Sequence, residues 1–419
     1  MKYSGSSGIR AKWGEELLEV ARELGLSLGK NYSKVVVGAD FRESSEALKS
    51  MVMGALLSGG AEVYDTGNIP TPTLAYAARN FDAGLMITAS HNPPEYNGIK
   101  LWNPDGSAFS EEQMSELNGK GVADWDSTGS VNAIDALSEH RDAILRVSKG
   151  LDSLKVLIDC SNGAGSVITP YLLRELGADV LTLNCHPDGT FPGHPSEPSE
   201  KNLELLKKMV VKKGADIGIA HDGDADRFIA ISSSGRYLDG DKIMAIFIKS
   251  MGFKKVVVPV NSSMLIDSVA SDVIRCPVGD ANVSRVIKET GYEFGGEQSG
   301  TQIFSSWRYT PDAIYSAVKF SEIAMREDID EMLSSFPEYI TIRKSVMYKD
   351  REEMERKIER YIAGMEVDKT DGWRVNMDDL WFLIRFSGTE PKVRITVETD
   401  DRAKAERMMD DIYNALGGA

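Results

Sequence analysis

The stretch Val156-Leu157-Ile158-Asp159-Cys160-Ser161 is an apolar run that turns polar just before a Gly-containing turn and an amphipathic, helix-length stretch. The runs Val35-Val36-Val37-Gly38-Ala39-Asp40 and Val256-Val257-Val258-Pro259-Val260-Asn261 repeat this pattern at a domain-sized spacing of roughly a hundred residues. Strand-length apolar runs alternating with helix-length stretches predict α/β units on parallel or mixed sheets. Any α/β protein repeats such a unit, so the pattern fits either a true internal repeat or the ordinary recurrence of strand–helix units.

The tail that follows Ser335-Phe336-Pro337 has a different pattern, in which two strands follow one another between two helices. It predicts a compact α+β module joined to the rest at a proline. We therefore predict an α/β protein of three related domains with mixed sheets and a smaller C-terminal α+β domain. The predicted domains span residues 1–148, 149–245, 246–337 and 338–419.

Composition excludes several classes of protein. The 48 Lys and Arg residues against 64 Asp and Glu residues give a net charge of -16, which argues against nucleic-acid or anionic-membrane binding. No apolar run approaches the ~20 residues that span a bilayer, and the N-terminus lacks the apolar core of a secretory signal. The three cysteines form no CxxC and the five histidines show no zinc-ligand spacing, so we expect a cytoplasmic protein.

The first motif with chemical potential is Thr88-Ala89-Ser90-His91-Asn92-Pro93-Pro94-Glu95-Tyr96-Asn97-Gly98-Ile99-Lys100. Its polar, Pro-interrupted run is expected to be neither helix nor buried strand. We therefore expect Ser90 to be exposed, as a nucleophile or a phosphate carrier must be. His91 suggests a Ser–His pair, but adjacent residues rarely face each other and no GxSxG elbow is present. An ordinary turn fits the composition equally well.

The second motif is His221-Asp222-Gly223-Asp224-Ala225-Asp226-Arg227, between two apolar runs. Three carboxylates at alternate positions can converge on one hard divalent cation such as Mg²⁺ or Ca²⁺. An EF-hand is excluded because Arg227 and Ser233 stand where that loop needs Gly and Glu. A solvated acidic turn is the alternative.

Two further loops carry polar groups. Gly295-Gly296-Glu297-Gln298-Ser299-Gly300 offers a carboxylate, an amide and a hydroxyl, which suit the hydroxyls of a sugar, although such turns are common. Arg385-Phe386-Ser387-Gly388-Thr389-Glu390-Pro391-Lys392-Val393-Arg394 sets two arginines around hydroxyls and backbone N–H groups, a phosphate-binding pattern. A hairpin with solvated arginines is the alternative. No Walker A or strand-linked GxGxxG motif indicates a nucleotide site.

Together and in this order, the four motifs resemble those of the α-D-phosphohexomutases, the family of phosphoglucomutases, phosphomannomutases and phosphoglucosamine mutases. The stretches Asp159-Cys160-Ser161-Asn162-Gly163-Ala164-Gly165 and Pro187-Asp188-Gly189-Thr190-Phe191-Pro192 extend the resemblance over essentially the whole chain. The resemblance implies a heart-shaped, four-domain enzyme in which each domain contributes one loop to a central cleft. It implies transfer of a phosphoryl group between C1 and C6 of a hexose or hexosamine phosphate through a phosphoserine and a 1,6-bisphosphate.

The resemblance also implies a role for each motif. Ser90 would carry the phosphoryl group and, with Asp222, Asp224 and Asp226, hold one Mg²⁺. The resemblance assigns to the catalytic group Arg10, Arg227, His91 and Lys100. It assigns to sugar binding Gly296, Glu297 and Ser299. It assigns to binding of the substrate phosphate Arg385, Ser387, Gly388, Thr389 and Arg394. A glucose 1,6-bisphosphate-type activator would prime Ser90. Small sugar phosphates are the expected partners, with no nucleic acid or membrane, for a monomer or homodimer.

Two features leave the details open. Many relatives have His after the sugar loop as a candidate base, whereas this chain has Thr301, so Lys100 becomes the candidate if a cationic surrounding depresses its pKa. Gln298 resembles the phosphoglucosamine mutase version of the sugar loop, but Pro93-Pro94-Glu95-Tyr96-Asn97-Gly98 resembles the phosphomannomutase and phosphoglucomutase version of the serine loop. A metal-dependent sugar-phosphate phosphatase and a catalytically weak sugar-phosphate sensor are the alternatives.

Overall fold

The computed structural model describes residues 8–117, 121–387 and 390–418, which form four β-sheets with flanking helices. The α/β class, the mixed sheets and the four-domain architecture predicted from the sequence are confirmed. The helices and strands are numbered here in chain order.

The first sheet has the strand order β1-β5-β4-β2-β3-β6 and mixes parallel with antiparallel pairs. Its strands are β1 (Ile9–Lys12), β2 (Lys34–Ala39), β3 (Glu62–Asn68), β4 (Ala83–Ile87), β5 (Tyr96–Trp102) and β6 (Val131–Ala133). The helices of this part are α1 (Glu15–Asn31), α2 (Ser45–Gly59), α3 (Thr71–Ala77), α4 (Glu111–Glu116) and α5 (Ala136–Arg146).

One expectation for this sheet is wrong. The second half of the serine motif was expected not to be a buried strand, yet β5 is a strand that is buried from Asn97 to Trp102. It pairs antiparallel with both β1 and β4, so both of its edges are hydrogen-bonded within the sheet. The prolines Pro93 and Pro94 lie before the strand and leave its backbone donors intact.

The second sheet has the order β11-β10-β9-β7-β8. Its strands are β7 (Lys155–Asp159), β8 (Asp179–Leu183), β9 (Ile217–His221), β10 (Phe228–Ser232) and β11 (Tyr237–Leu238), with helices α6 (Thr169–Glu175) and α7 (Glu204–Lys213). The apolar run that begins at Val156 lies on β7, which is paired in parallel on both sides. A strand in this position is covered on both faces, which explains its continuous apolar run.

The third sheet has the order β13-β12-β14-β15. Its strands are β12 (Lys255–Pro259), β13 (Asp272–Cys276), β14 (Phe294–Gly296) and β15 (Gln302–Phe304). The helices are α8 (Gly240–Met251), α9 (Leu265–Val269), α10 (Asp280–Thr290), α11 (Ala313–Ala324) and α12 (Ile329–Ser334). One continuous apolar core serves the second and third sheets, and Phe228, Phe247 and Phe320 pack together inside it.

The fourth sheet is antiparallel throughout, in the order β16-β19-β18-β17. Its strands are β16 (Ile340–Met347), β17 (Trp373–Asn376), β18 (Leu380–Phe386) and β19 (Lys392–Thr399), with helices α13 (Arg351–Tyr361) and α14 (Arg402–Ala415). This domain has its own core and also meets the third domain through a small apolar cluster of Val260, Trp381 and Leu383. Hydrogen bonds add to this contact, including those that Glu398 accepts from the Ser263 hydroxyl at 3.1 Å and from the Met264 N–H at 2.7 Å.

Candidate active site

Ser90 lies in the loop between β4 and β5, with its backbone in the left-handed region at a φ of 51°. Non-glycine residues rarely adopt this conformation, and strained residues of this kind cluster at functional sites. Its Oγ donates a hydrogen bond of 2.7 Å to Oδ2 of Asp222. The expectation that Ser90 is exposed is wrong, because only 1% of the residue is accessible. The aspartate loop of the second domain lies against Ser90 and covers it.

Arg42, which the sequence analysis missed, holds the serine loop in place. Its two terminal guanidinium nitrogens donate to the carbonyls of Ser90, Asn92, Pro93 and Tyr96 at 2.7 to 3.0 Å. The guanidinium is fully buried against Asp40, at 3.1 Å. The sequence signal was weak, since Asp40 and Arg42 lie 48 or more residues before the loop that they support.

Asp222, Asp224 and Asp226 lie in the loop between β9 and β10, where each offers a carboxylate oxygen within 4.8 Å of the others. All three residues are buried, and Ala225 between them takes the left-handed conformation at a φ of 58°. Oδ1 of Asp224 and Oδ1 of Asp226 are buried without a hydrogen-bond partner. Buried polar atoms without partners are rare and need an explanation. A hard divalent cation is a fitting one, because it binds carboxylate oxygens.

The pKa values of the three aspartates are shifted in different directions. Burial, followed by repulsion from Asp226 and Asp224, raises the pKa of Asp222 well above its usual value. Burial and Asp224 likewise raise the pKa of Asp226. Burial also opposes ionisation of Asp224, but Lys100 and the Thr71 hydroxyl, whose Oγ1 donates at 2.6 Å, hold its pKa below the usual value. A bound cation would relieve the repulsion among the three groups.

Lys100 lies on β5 and its Nζ donates to Oδ2 of Asp224 at 2.9 Å and to Oδ2 of Asp226 at 2.7 Å. Burial lowers the pKa of this amine, but the two carboxylates outweigh burial and raise it above its usual value. The condition for Lys100 to act as a base, a pKa depressed by surrounding cations, is therefore wrong for this arrangement. Lys100 is a cation that offsets part of the negative charge of the triad, at Asp224 and Asp226.

Three other residues of the predicted catalytic group surround Ser90. Nδ1 of His91 lies 3.4 Å from Oγ of Ser90, although adjacent side chains were expected to point apart. Burial, followed by the Arg227 and Arg10 charges, lowers the pKa of His91 to about 2, so its ring is neutral. Arg10 donates to Oδ1 of Asn92 at 3.2 Å, and the backbone N–H of Arg227 donates to Oδ1 of Asp222 at 3.2 Å.

The predicted sugar loop connects β14 and β15. Glu297 accepts hydrogen bonds from the backbone N–H of Gly279 at 2.8 Å, from the Ser299 hydroxyl at 3.3 Å and from the Thr301 hydroxyl at 3.4 Å. Burial and the nearby Asp280 charge raise the pKa of Glu297 to about 7. A β-carbon on Gly296 would stand 2.3 Å from the carbonyl oxygen of Thr301, so this position requires glycine.

The predicted phosphate loop follows β18. Nε of Arg385 lies 2.8 Å from Oδ1 of Asp371, Arg394 faces Arg385 across the strand pair, and Ser387 is buried. Gly388 and Thr389, also assigned to this loop, lie outside the described residues.

A cavity of about 340 Å³ connects the sugar loop with the fourth domain, and Arg343, Arg385 and Arg394 line it beside Gln298. Arg343, which the sequence analysis missed, donates to Oε1 of Gln298 from β16. Within the described ranges, neither Arg343 nor Arg394 has a carboxylate within ion-pair distance. In a chain of net charge -16, two such arginines beside a third favour an anion in the cavity.

Hydrogen bonds connect three of the predicted loops with one another and with the fourth domain. Ser90 bonds Asp222, the backbone N–H of Phe228 after the aspartate loop donates to Gly300 of the predicted sugar loop at 2.8 Å, and Gln298 bonds Arg343 of the fourth domain. These contacts connect the serine and the carboxylate triad with the predicted sugar loop, and through it with the arginines that line the cavity. Such an arrangement is suited to phosphoryl transfer on a small anionic sugar.

Comparison with known proteins supports this interpretation. Models of the phosphoglucomutase/phosphomannomutase family match its three alpha/beta/alpha domains at residues 1–120, 134–235 and 239–339 and its C-terminal domain at residues 344–415. None of the helices in the described part of the chain has the length and apolar character needed to cross a membrane.

Relatives and solved structures agree with the family models. A "probable phosphoglucosamine mutase" of Methanococcoides burtonii is 43% identical over 99% of this chain and 99% of its own length. The phosphoglucosamine mutase of Methanocaldococcus jannaschii is 38% identical over 97% of this chain and 96% of its own. A crystal structure of a phosphoglucomutase/phosphomannomutase family protein from Burkholderia thailandensis has a TM-score of 0.86 and 26% identity, covering 99% of this chain and 97% of its own.

These comparisons support neither the phosphatase nor the sensor that the sequence left as alternatives. The chain belongs to the α-D-phosphohexomutase family and is an intramolecular phosphotransferase acting on hexose or hexosamine phosphates.

Proposed function

We propose that the protein is a phosphoglucosamine mutase, which interconverts glucosamine 6-phosphate and glucosamine 1-phosphate. The 2.7 Å hydrogen bond between Ser90 and Asp222 is the observation that carries the proposal for the reaction. It places a hydroxyl that can accept a phosphoryl group beside three carboxylates that can bind a divalent cation. The choice of glucosamine rests on the names of the two relatives and on Gln298 in the sugar loop. We further propose that it acts in the cytoplasm as a monomer or homodimer.

Ser90 carries the phosphoryl group between turnovers in this proposal. Asp222, Asp224 and Asp226 would hold one Mg²⁺ together with a phosphate oxygen on Ser90, and their two unpartnered oxygens fit that role. Mg²⁺ bound there supplies electrostatic stabilisation of the charge that develops on the transferring phosphoryl group. Thr71 and Lys100 keep the Asp224 carboxylate oriented, and Arg10 and Arg227 add positive charge beside the phosphate.

The sugar phosphate binds with its own phosphate on Arg385, Ser387, Gly388, Thr389 and Arg394, and we add Arg343 to this set. The surface that contacts the hydroxyl groups of the sugar is formed by Gly296, Glu297 and Ser299. The free hydroxyl oxygen of the sugar then bonds to the phosphorus on Ser90 as the bond between phosphorus and the serine oxygen breaks. The product is a sugar 1,6-bisphosphate, and it turns end for end so that Ser90 recovers the other phosphoryl group.

The attacking hydroxyl must lose its proton during this transfer. Neither His91, with a pKa of about 2, nor Lys100, with a raised pKa, fits an acceptor at neutral pH. The pKa of Glu297 is about 7, and its carboxylate accepts hydrogen bonds within the sugar loop, so we keep Glu297 in the set that contacts the sugar hydroxyls.

The test is turnover of glucosamine, mannose and glucose 6-phosphates side by side, each started with a trace of glucose 1,6-bisphosphate. We expect the highest kcat/KM for the glucosamine substrate and no release of inorganic phosphate. A higher kcat/KM for mannose or glucose phosphate would overturn the substrate assignment. Stoichiometric release of phosphate would overturn the mutase reaction itself.

A further inference from the structure

Cys160 and Cys185 are 25 positions apart in the chain, yet their Sγ atoms lie 3.0 Å apart. The sequence gives no sign of this pair, because it contains no CxxC motif. The parallel strands β7 and β8 bring the residues together, since Cys160 follows the last residue of β7 and Cys185 lies two positions past the end of β8. Cys276, the third cysteine, lies at the end of β13 in another sheet.

The separation of the two sulfur atoms is close to the ~2.05 Å bond length of a disulfide. The two sulfur atoms need to approach by only about 1 Å to reach bonding distance. Cys160 is buried and Cys185 is half-buried, so an oxidant in solution meets Cys185 first.

We propose that Cys160 and Cys185 are a thiol–disulfide site, whose oxidation by a low-molecular-weight disulfide loosens the loop that carries the aspartate triad. The proposal goes beyond the mutase reaction and does not depend on it. The Cys185 thiolate attacks the small disulfide, forms a mixed disulfide and expels one small thiolate. The Cys160 thiolate then attacks the Cys185 sulfur and expels the second small thiolate. Two protein thiols are oxidised and one small disulfide is reduced, and the two protons that the protein thiols lose end on the two small thiolates, which leave as thiols.

The reaction is expected to be slow. Burial, followed by the hydrogen bond with Cys185, raises the pKa of the Cys160 thiol well above its usual value, so little of the attacking thiolate is present. The second step is nevertheless intramolecular and begins at 3.0 Å, which favours it strongly over attack by a thiol from solution. We therefore expect the two thiols to be oxidised only during a long exposure to the oxidant.

The residues after Cys160 connect this site to the aspartate loop. The Ser161 hydroxyl donates to the carbonyl of His221 at 2.6 Å, and the backbone N–H of Ala164 donates to the carbonyl of Gly223 at 2.9 Å. A β-carbon on Gly163 would stand 2.5 Å from that same Gly223 carbonyl, so the two backbones are in close contact. Gly223 lies between Asp222 and Asp224. A shift of Cys160 by a fraction of an ångström is therefore passed to the aspartate loop through one side-chain contact and two backbone contacts.

The test uses the full chain incubated with oxidised glutathione and then unfolded in an alkylating reagent. We expect one alkylated cysteine, Cys276, instead of three, and a mass lower by two hydrogen atoms before alkylation. Cys185→Ser removes the reaction and should leave Cys160 free for alkylation. A wild-type protein that keeps three alkylatable thiols, or that gains glutathione on Cys185 without closing the disulfide, would overturn the proposal.

Hydrogen exchange tests the effect on the aspartate loop without any turnover. We expect faster exchange in peptides that contain Ala164 and Gly223 after oxidation, by roughly tenfold, which corresponds to about 1.4 kcal/mol of lost local stability. The Cys185→Ser protein given the same oxidant is the matched control and should show no change. Equal exchange in oxidised and reduced wild type would refute the link to the loop. Because neither readout needs substrate, these results stand apart from the outcome of the mutase assay.

Discussion

The Oγ of Ser90 and the Oδ2 of Asp222 are joined by a hydrogen bond of 2.7 Å across a separation of 132 positions in the chain. The bond connects the loop after β4 of the first sheet with the loop after β9 of the second. It brings the proposed phosphoryl carrier to the proposed metal ligands, and it requires the two domains to be packed together before the site exists.

The aspartate triad should affect turnover more than substrate binding. Asp224→Asn keeps the shape of the loop but removes a carboxylate that has an unpartnered oxygen. We expect kcat to fall on the order of a hundredfold or more with little change in KM, because these carboxylates act on the transition state. Added chelator should abolish wild-type activity. Asp126→Asn, which changes an exposed carboxylate, is the control, and full activity in chelator would contradict the prediction.

The phosphate clamp should act on both ends of the substrate. Arg385→Ala is expected to raise KM roughly ten- to hundredfold for the 1-phosphate and the 6-phosphate alike, since a charge-assisted contact contributes about 1.5–3 kcal/mol. Arg385 also pairs with Asp371, whose Oδ2 accepts the Val278 N–H of the third domain at 2.9 Å. Asp371→Ala cuts that domain contact but keeps the guanidinium, so it separates the two effects. A loss confined to one of the two phosphates would exclude a single clamp.

The raised pKa of Glu297 should make the stability of the protein depend on pH. Its pKa rises from 4.5 to about 7 on folding, so the folded protein binds this proton more tightly, and ionisation costs stability increasingly from pH 4.5 up to about 7. Glu297→Gln removes that cost. We expect its melting temperature to match wild type below pH 4.5 and to exceed it by about 2–4 °C above pH 7. Thermal unfolding of both proteins across this range is the measurement, and a difference that is the same at every pH would contradict the raised pKa.

The sequence predicted most of the architecture, because local patterns determine strands and helices. The three apolar runs on which the α/β prediction rests, beginning at Val35, Val156 and Val256, lie on β2, β7 and β12. The helix-length stretch that follows β7 begins as a 3₁₀ turn at Ala164–Val167, followed by α6. The domain boundaries after residues 148, 245 and 337 remain predictions.

Contacts between distant segments could not be predicted in the same way. Ser90 is buried because a loop from another domain covers it, and the pKa of Lys100 is raised because β5 places it beside two carboxylates. Arg42, Thr71 and Arg343 each support the site from a segment that carries no motif. Cys160 and Cys185 meet only because β7 and β8 are neighbours. Motifs thus indicated the chemistry, whereas burial and charge required the folded chain.

The central claim is that Ser90 carries the phosphoryl group, and intact-mass analysis tests it most directly. Wild-type protein incubated with glucose 1,6-bisphosphate should gain one phosphoryl group on the peptide containing Ser90. It should lose that group when glucosamine 6-phosphate is added, as the sugar bisphosphate and then glucosamine 1-phosphate form. Ser58→Ala, on the outer helix α2, should behave like wild type, whereas Ser90→Ala should gain no phosphoryl group and lose nearly all turnover. Turnover by Ser90→Ala at a rate near that of wild type, or a phosphoryl group on another residue, would contradict the account.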